Sequence, residues 1–575
     1  MQNKYLKIRI WCVGFFFLVS FVAIGAKAVH LQVYRSLWLS KKASTQYEKS
    51  LTASGKRGII YDRNLQEMAV SIEVNSIAAY PFQISDTKAT AKVLANALNL
   101  NVRKTQRKLA SKKSFVWIKR QTTAKETQAI QDRQLPGIDF VSEFSRFYPN
   151  KTLAAQALGF TGLDGKGLEG IEFYYDPNLQ GELSKIKMFK DALGNGFSSE
   201  SRQFYLNSGQ NLVLTIDSNI QFITESALKA AAKQHAARSA LAIVMQPRTG
   251  AILAIAHYPL FNPNSYLSFD KSLWRNRAIT DPFEPGSTMK IFSAAAALES
   301  GSITPNTIFF CENGAYRIGK NVVHDIRKYG WLSLQQIIKF SSNIGAVKVS
   351  EKVGAKKLYH TFRDFGFGQK TGIDCPGETP GSLSHYKTWS DIDTAAISFG
   401  HGLSVSAIQL ISAVSTIAND GVLMKPYLVQ EITDQHGRTM NRFAPRQIRR
   451  VVSAHTAGIL KNIMQTVITE GGTGINASLD GYSVCGKTGT ARKLDEKGKY
   501  SHRKHIASFV GFTPAHNPEI AILVVIDEPQ AKYHGGVVAA PVFKSIANEI
   551  LNYLNIPPEG GTSKFRVSFG IKARG

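Results

Sequence analysis

The chain is 575 residues long, room for about three or four domains at roughly 150 residues each, so a lone small module is excluded. Apolar residues make up 43% and charged residues 19%, a globular balance that excludes wholesale disorder. Lys and Arg number 70 against 42 Asp and Glu, a formal net charge of +28, which favours an anionic partner: nucleic acid, a membrane surface, or an acidic or phosphorylated substrate.

The first element is apolar. IWCVGFFFLVSFVAIGA, residues 10–26, carries no charge and makes roughly 26 Å of helix, close to the hydrocarbon thickness of a bilayer. Ala28, Val29 and Leu31 continue it past Lys27, whose amine can snorkel to the interface. One transmembrane helix is expected over about 10–31. Lys4, Lys7 and Arg9 place the N-terminus in the cytoplasm by the positive-inside rule and everything after the helix outside the membrane. A cleaved signal peptide is the alternative, but Ala26-Lys27-Ala28 is a poor cleavage site and the apolar run exceeds an h-region. The topology also sets aside a nucleic-acid partner for the basic charge. Anionic headgroups suit the ten basic side chains that residues 1–57 hold against the single acid Glu48.

Residues 32–56 are polar and helix-compatible, with Thr52-Ala53-Ser54-Gly55 as a short linker. Residues 57–208 mix strand patterns such as 71–80 with helical ones such as 87–100 and 124–134, an α+β region with its own folding. From 209 the texture changes. LVLTID (212–217) leads into an Ala-rich helix to about 237, then strands 241–247 and 251–259 flank the turn Arg248-Thr249-Gly250. A second strand pair, 506–514 and 520–529, lies near the far end. Strands from both ends can form one antiparallel sheet with the intervening helices packed on it. The last stretch, 557–575, is rich in Gly, Ser, Lys and Arg and reads as a loose basic tail. Cys12 falls in the membrane, while Cys311, Cys375 and Cys485 are widely separated and read as buried thiols; none has metal-ligand spacing, so no zinc site is expected.

Three short motifs carry chemistry. In Phe283-Glu284-Pro285-Gly286-Ser287-Thr288-Met289-Lys290, Pro-Gly opens a helix that ends near Ser300, and Ser287 and Lys290 share a face at a spacing of three. An Ala-rich, buried helix would lower the Lys290 pKa and let it act as base toward Ser287; a capping serine with a solvated lysine is the bland meaning. Ser341-Ser342-Asn343 follows the helical pattern LSLQQIIKF and offers a proton relay and an amide clamp, or merely a polar helix end. Lys487-Thr488-Gly489-Thr490 lies in a strand-like segment, where glycine lets a peptide backbone approach and bind by strand addition; a turn in an edge strand is the alternative.

Taken in order, Ser-x-x-Lys, Ser-x-Asn and Lys-Thr-Gly resemble the penicillin-binding proteins and serine β-lactamases. The runs 275–290 (RNRAITDPFEPGSTMK), 398–410 (SFGHGLSVSAIQL), 487–493 (KTGTARK) and 535–543 (GGVVAAPVF) are similar to class B penicillin-binding proteins of the cell-division type. RGIIYDR (57–63), RFYP (146–149) and GLEGIE (167–172) resemble that family's non-catalytic pedestal. The likeness covers the chain from the anchor to about 556. Gln246 departs from it, standing where an aspartate is expected before the turn.

The resemblance implies an α+β protein: cytoplasmic tip and transmembrane anchor (1–31), elongated non-catalytic pedestal of the dimerisation type (32–208), transpeptidase domain with an antiparallel sheet flanked by helices (209–556), and flexible tail (557–575). It implies a peptidoglycan D,D-transpeptidase of the septal wall, acting on the periplasmic side of the cytoplasmic (inner) membrane through a serine acyl-enzyme, with no metal or organic cofactor needed. Ser287, Lys290, Ser341, Asn343 and Lys487 would be catalytic; Thr488, Gly489 and Thr490 would bind substrate; the N–H groups of Ser287 and Thr490 would form the oxyanion hole. Residues 398–403 would line the cleft. Stem peptides would be the substrate, β-lactams covalent inhibitors, and an FtsW-type glycosyltransferase with other divisome proteins the partners. An elongation-type class B enzyme and a division scaffold with dispensable catalysis are the competing readings. A β-lactamase has no use for the anchor and pedestal, and a second, glycosyltransferase activity has no domain to house it.

Overall fold

The computed structural model describes residues 2–39, 42, 48–181, 183–190, 196–198, 208–494 and 498–559; the expected basic tail lies outside the described residues from 560 onward. Gln2–Val29 forms one α-helix, continued by the π-helical turn His30–Tyr34. Its apolar side chains are exposed, Phe16 by 70% and Phe21 by 74%, and over Lys4–Tyr34 mean hydropathy reaches 2.2. Among the described residues this is the one helix long and apolar enough to cross a membrane. It starts eight residues before the apolar run, through a stretch in which Lys4, Leu6, Lys7 and Arg9 are good helix formers.

The chain separates into two compact units. One comprises Met1–Lys56, Glu73–Phe144 and Gly181–Ser208; the other comprises Arg57–Ile72, Ser145–Gln180 and Gly209–Gly575. In the first, Glu48–Ser54 is a strand rather than the expected helix-compatible linker. It pairs antiparallel with Leu183–Lys190, Glu48 opposite Phe189 and Ser54 opposite Leu183. A partner about 130 residues downstream leaves no trace in the local pattern, so propensity alone misreads it. The helices of this unit end where side chains can cap them. Asp86 accepts the N–H groups of Lys88 and Ala89 at the start of Thr87–Leu98, Asn99 closes that helix in the left-handed region, and Thr123 and Glu126 form a capping box on Ala124–Gln131. Ile77, Leu94, Leu98, Leu109, Ile118 and Ile130 form its core.

In the second unit five strands make one antiparallel sheet: β1 (Ser239–Met245), β2 (Ile252–Tyr258), β3 (Cys485–Leu494), β4 (Tyr500–Thr513) and β5 (Ile520–Asp527). Their order is β2-β1-β5-β4-β3, all neighbours antiparallel, so both ends of the sequence meet where β1 pairs with β5. Nearly every residue of β1, β2 and β5 is buried, the pattern of a sheet covered on both faces. Ser218–Gln234 and Ala540–Tyr553 pack together on it; so does Ala407–Ala418, buried at every position. At the β1–β2 turn Gln246 serves in place of the expected aspartate: its side-chain oxygen accepts the Thr249 hydroxyl at 2.9 Å.

The pedestal-like motifs of the sequence meet within this same unit. Glu172, fully buried, accepts Arg57 Nε and Arg146 Nε at 2.6 Å each and Tyr148 OH at 3.3 Å. Arg57 also reaches Asp176 at 2.6 Å, so two guanidinium groups face two carboxylates. Burial pushes the Glu172 carboxyl up, but the charges of Arg146 and Arg57 outweigh it and hold the group below its ordinary range.

Candidate active site

Ser287 lies in a 3₁₀ turn, Gly286–Met289, that runs directly into α1 (Lys290–Glu299). The predicted helix ending near Ser300 is thus present, and its first residue is the lysine. α1 is buried from Lys290 to Leu298, because Ala at four successive positions lets neighbouring elements approach. Lys290 is 0% exposed, with its Nζ at the centre of the site: 3.0 Å from Ser287 Oγ, 2.7 Å from the Ser341 carbonyl oxygen, 3.2 Å from Ser341 Oγ and 2.7 Å from Asn343 Oδ1.

The middle motif sits between two helices, α2 (Leu334–Phe340) and α3 (Asn343–Val353). Ser341 caps the end of α2 with φ +61°, a left-handed conformation uncommon for a non-glycine residue. That kink brings Ser341 Oγ within reach of both lysines. Ser342 caps α3 by accepting the Gly345 N–H at 2.8 Å. Lys487, on β3, donates to Ser341 Oγ at 3.0 Å and is itself 0% exposed. Ser287, Lys290, Ser341 and Lys487 therefore form one hydrogen-bonded chain.

Electrostatics follow from burial. Desolvation lowers the Lys290 pKa to about 7, with the Asp325 carboxylate opposing the shift. Lys487 is lowered well below the ordinary lysine range by burial and by the positive charge of Lys290. Two amines this close cannot both stay charged, so one is held neutral near pH 7 and available as a base.

β3 lies close against the serine turn. A Cβ on Gly489 would fall 2.3 Å from Ser508 Oγ and 3.0 Å from the Pro285 carbonyl oxygen; one on Gly286, at φ +56°, would fall 2.9 Å from the Thr490 carbonyl oxygen. Thr490 Oγ1 accepts the Gly535 N–H at 3.1 Å and keeps its own proton for another acceptor. Thr488 Oγ1 donates to Thr473 Oγ1 at 3.1 Å. Residues 398–405 flank the turn on its other side: Gly286 N–H meets the Gly400 carbonyl oxygen at 3.1 Å, and Phe283 bridges Val405.

Two acidic residues of the site had no signal in the sequence beyond their type. The Glu284 carboxylate gathers His401 Nδ1 at 2.8 Å, Gly402 N–H at 3.0 Å and Tyr500 OH at 2.9 Å, tying the serine turn to the 398–405 segment and to the start of β4. Asp325 accepts the Ser342 hydroxyl at 2.6 Å. Both depend on contacts between distant segments.

Residues 240–548 match the penicillin binding protein transpeptidase domain and residues 52–214 the penicillin-binding protein dimerisation domain. The probable peptidoglycan D,D-transpeptidase PenA of Neisseria meningitidis is 35% identical, over 94% of this chain and 92% of the relative. The peptidoglycan D,D-transpeptidase FtsI of Escherichia coli K12 is 33% identical, over 96% and 93%. The crystal structure of penicillin-binding protein 3 from Mycobacterium tuberculosis in complex with aztreonam superposes with a TM-score of 0.69 at 27% identity, covering 89% of this chain and 98% of that one.

Proposed function

The chain belongs to the class B penicillin-binding proteins and is a serine peptidoglycan D,D-transpeptidase, and from that membership we propose that it cross-links stem peptides of the septal wall through an acyl-enzyme on Ser287. The observation that carries the residue assignment is the continuous hydrogen-bonded chain from Ser287 through Lys290 and Ser341 to Lys487. The neutral Lys290 amine takes the Ser287 proton as Oγ attacks the carbonyl of the penultimate D-Ala. Ser341 and Lys487 hand a proton to the departing terminal D-Ala amine as its amide bond breaks. An ester on Ser287 remains, and the amine of a second stem peptide attacks it, restoring the serine hydroxyl. Division into two acyl transfers is the general gain of covalent catalysis.

Asn343 orients the donor amide, Thr488 and Thr490 hold the terminal carboxylate, and Gly489 lets the donor backbone lie along β3 as an added strand. The N–H groups of Ser287 and Thr490 supply the oxyanion hole, a contribution of roughly 3 to 4 kcal/mol per donor in other enzymes. β-Lactams acylate the same serine because they resemble the D-Ala-D-Ala end. The functional division is anchor 1–31, pedestal 32–208, transpeptidase 209–556 and tail 557–575. The N-terminus is cytoplasmic, the catalytic unit periplasmic, and an FtsW-type glycosyltransferase the membrane partner.

Intact-mass spectrometry after exposure to benzylpenicillin, with peptide mapping, tests the nucleophile: one stable adduct on Ser287 is expected, and none on Ser287→Ala. Depletion in the native host tests the site of action. Filaments without septa support the septal role; rounded cells overturn it in favour of side-wall elongation. Normal septation with Ser287→Ala as the only copy overturns catalysis as the essential role.

A further inference from the structure

We infer that Asp325, with the carbonyl of His324, is a positioning element that fixes the Asn343 carboxamide and through it aims the Lys290 lone pair at Ser287. The inference rests on the assignment of Ser287 and Lys290 as nucleophile and base. Asp325 stands at the foot of a hairpin, Ala315–Ile318 with Asn321–His324, outside all three sequence motifs. Its carboxylate is given over to the segment that follows Ser341. Oδ2 accepts the Ser342 hydroxyl at 2.6 Å, and Oδ1 accepts the N–H groups of Asn343 at 2.5 Å and Ile344 at 3.1 Å. The preceding residue holds the other end of the same side chain: Asn343 Nδ2 donates to the His324 carbonyl oxygen at 3.0 Å.

A carboxamide held this way has one orientation. Turning it over would set Oδ1 against the His324 carbonyl oxygen, a repulsion in place of a hydrogen bond, and would aim the Nδ2 hydrogens at the Lys290 amine, where they oppose its N–H groups or occupy its lone pair. Asn343 Oδ1 must therefore face Lys290 Nζ, where it lies at 2.7 Å. A neutral lysine amine has two hydrogens and one lone pair. Two carbonyl-type oxygens at 2.7 Å, of Asn343 and Ser341, take the hydrogens, which leaves the lone pair for a hydroxyl, and Ser287 Oγ at 3.0 Å stands nearer than Ser341 Oγ at 3.2 Å. If Asn343 swings away, the amine keeps only its bond to the Ser341 carbonyl and can turn about it, so its lone pair is no longer committed to the nucleophile.

The hairpin is itself tied down, so Asp325 does not drift. The Asp325 N–H meets the Gly314 carbonyl oxygen at 3.2 Å. Along α3, Tyr316 OH donates to Glu351 at 2.9 Å, Lys348 pairs with Glu312 at 3.1 Å, and the Lys348 amine stands 3.6 Å from the Tyr316 ring centre. The charged groups facing Lys290 are Lys487 from β3 and Asp325 from the hairpin foot. Only Asp325 favours the protonated amine, so removing its charge shifts the pH dependence of acylation downward.

The competing account makes Asp325 a helix cap that contributes stability and nothing else. Acylation of the full-length, detergent-solubilised protein by benzylpenicillin separates the two, measured as a second-order rate constant from pH 5 to 9 beside the melting temperature. Asp325→Asn keeps the size and one acceptor but loses the charge. It is expected to acylate at least tenfold more slowly above pH 8 and to show an acidic midpoint displaced to lower pH; Asp325→Ala is expected to be slower again. A lower melting temperature with unchanged rate and midpoint in Asp325→Asn overturns the inference and leaves the cap. Asp325→Asn decides if Asp325→Ala does not fold. Ser287→Ala, run in parallel, isolates the parent reading: benzylpenicillin labelling of that variant would sink the nucleophile assignment whatever Asp325 does.

Discussion

A lysine can deprotonate a serine near neutral pH only if something strips it of its own proton, and here burial does so. Lys290 makes four polar contacts, yet desolvation still brings its pKa down to about 7. Acylation by benzylpenicillin should therefore rise with pH through a midpoint near 7 and level off above about 8, followed by stopped-flow fluorescence. A rate that climbs steadily to pH 10, as an ordinary lysine near 10.5 would give, contradicts the assignment. The same shift has a sign in stability. Between about 7 and 10.5 the unfolded chain carries a proton that the folded chain has released, so the contribution of this group rises with pH across that window and is lost as pH falls through 7.

Elements carry the site, and two of their junctions are testable. Gly489 lets β3 lie against the serine turn; the Cβ of Gly489→Ala would press on the Pro285 carbonyl, which is backbone and cannot yield by a rotamer change. The variant should stay folded but acylate at least tenfold more slowly, read by fluorescent-penicillin labelling against time, and wild-type kinetics would refute the close approach. The Arg57–Arg146–Glu172 cluster is the second junction. Glu172→Gln leaves Arg146 buried without its charge partner, at a loss of roughly 3 to 5 kcal/mol, visible as a lower calorimetric melting temperature. In the wild type this stability is present above the ordinary glutamate range and disappears as pH falls through the depressed pKa of the folded state. These junctions also mark how far the sequence could be read. The five strands, the helix after Ser287 and the three motifs were legible because each is a local pattern of alternation, turn chemistry or fixed spacing. Glu48–Ser54 was not, since its identity as a strand comes from Leu183–Lys190. Asp325 and Glu284 were not, since a lone acid acquires its meaning only from groups such as Ser342 or His401 and Tyr500 that folding brings to it.

At the scale of the whole molecule the charge of +28 and the apolar N-terminal helix offer two different ways to hold a membrane. Electrostatic attachment acts through Lys and Arg against anionic headgroups and fades once the Debye length drops to about 3 Å in 1 M salt. Insertion of Lys4–Tyr34 depends on hydrocarbon burial, which salt does not weaken. The helix exposes Phe15, Phe16, Phe17, Leu18 and Phe21 by 60% or more each, an apolar surface that water would not tolerate and lipid would. Membranes carrying the full chain, washed with 1 M salt and then with non-ionic detergent, should release it only in the detergent step. A chain lacking residues 2–34 should be soluble at once and should acylate at Ser287 at the full-length rate, since the residues of the site all lie between 284 and 535. Release of the full chain by salt alone would reassign attachment to the basic surface. A soluble fragment that folds but cannot acylate would mean that the anchor does more than hold the enzyme in place.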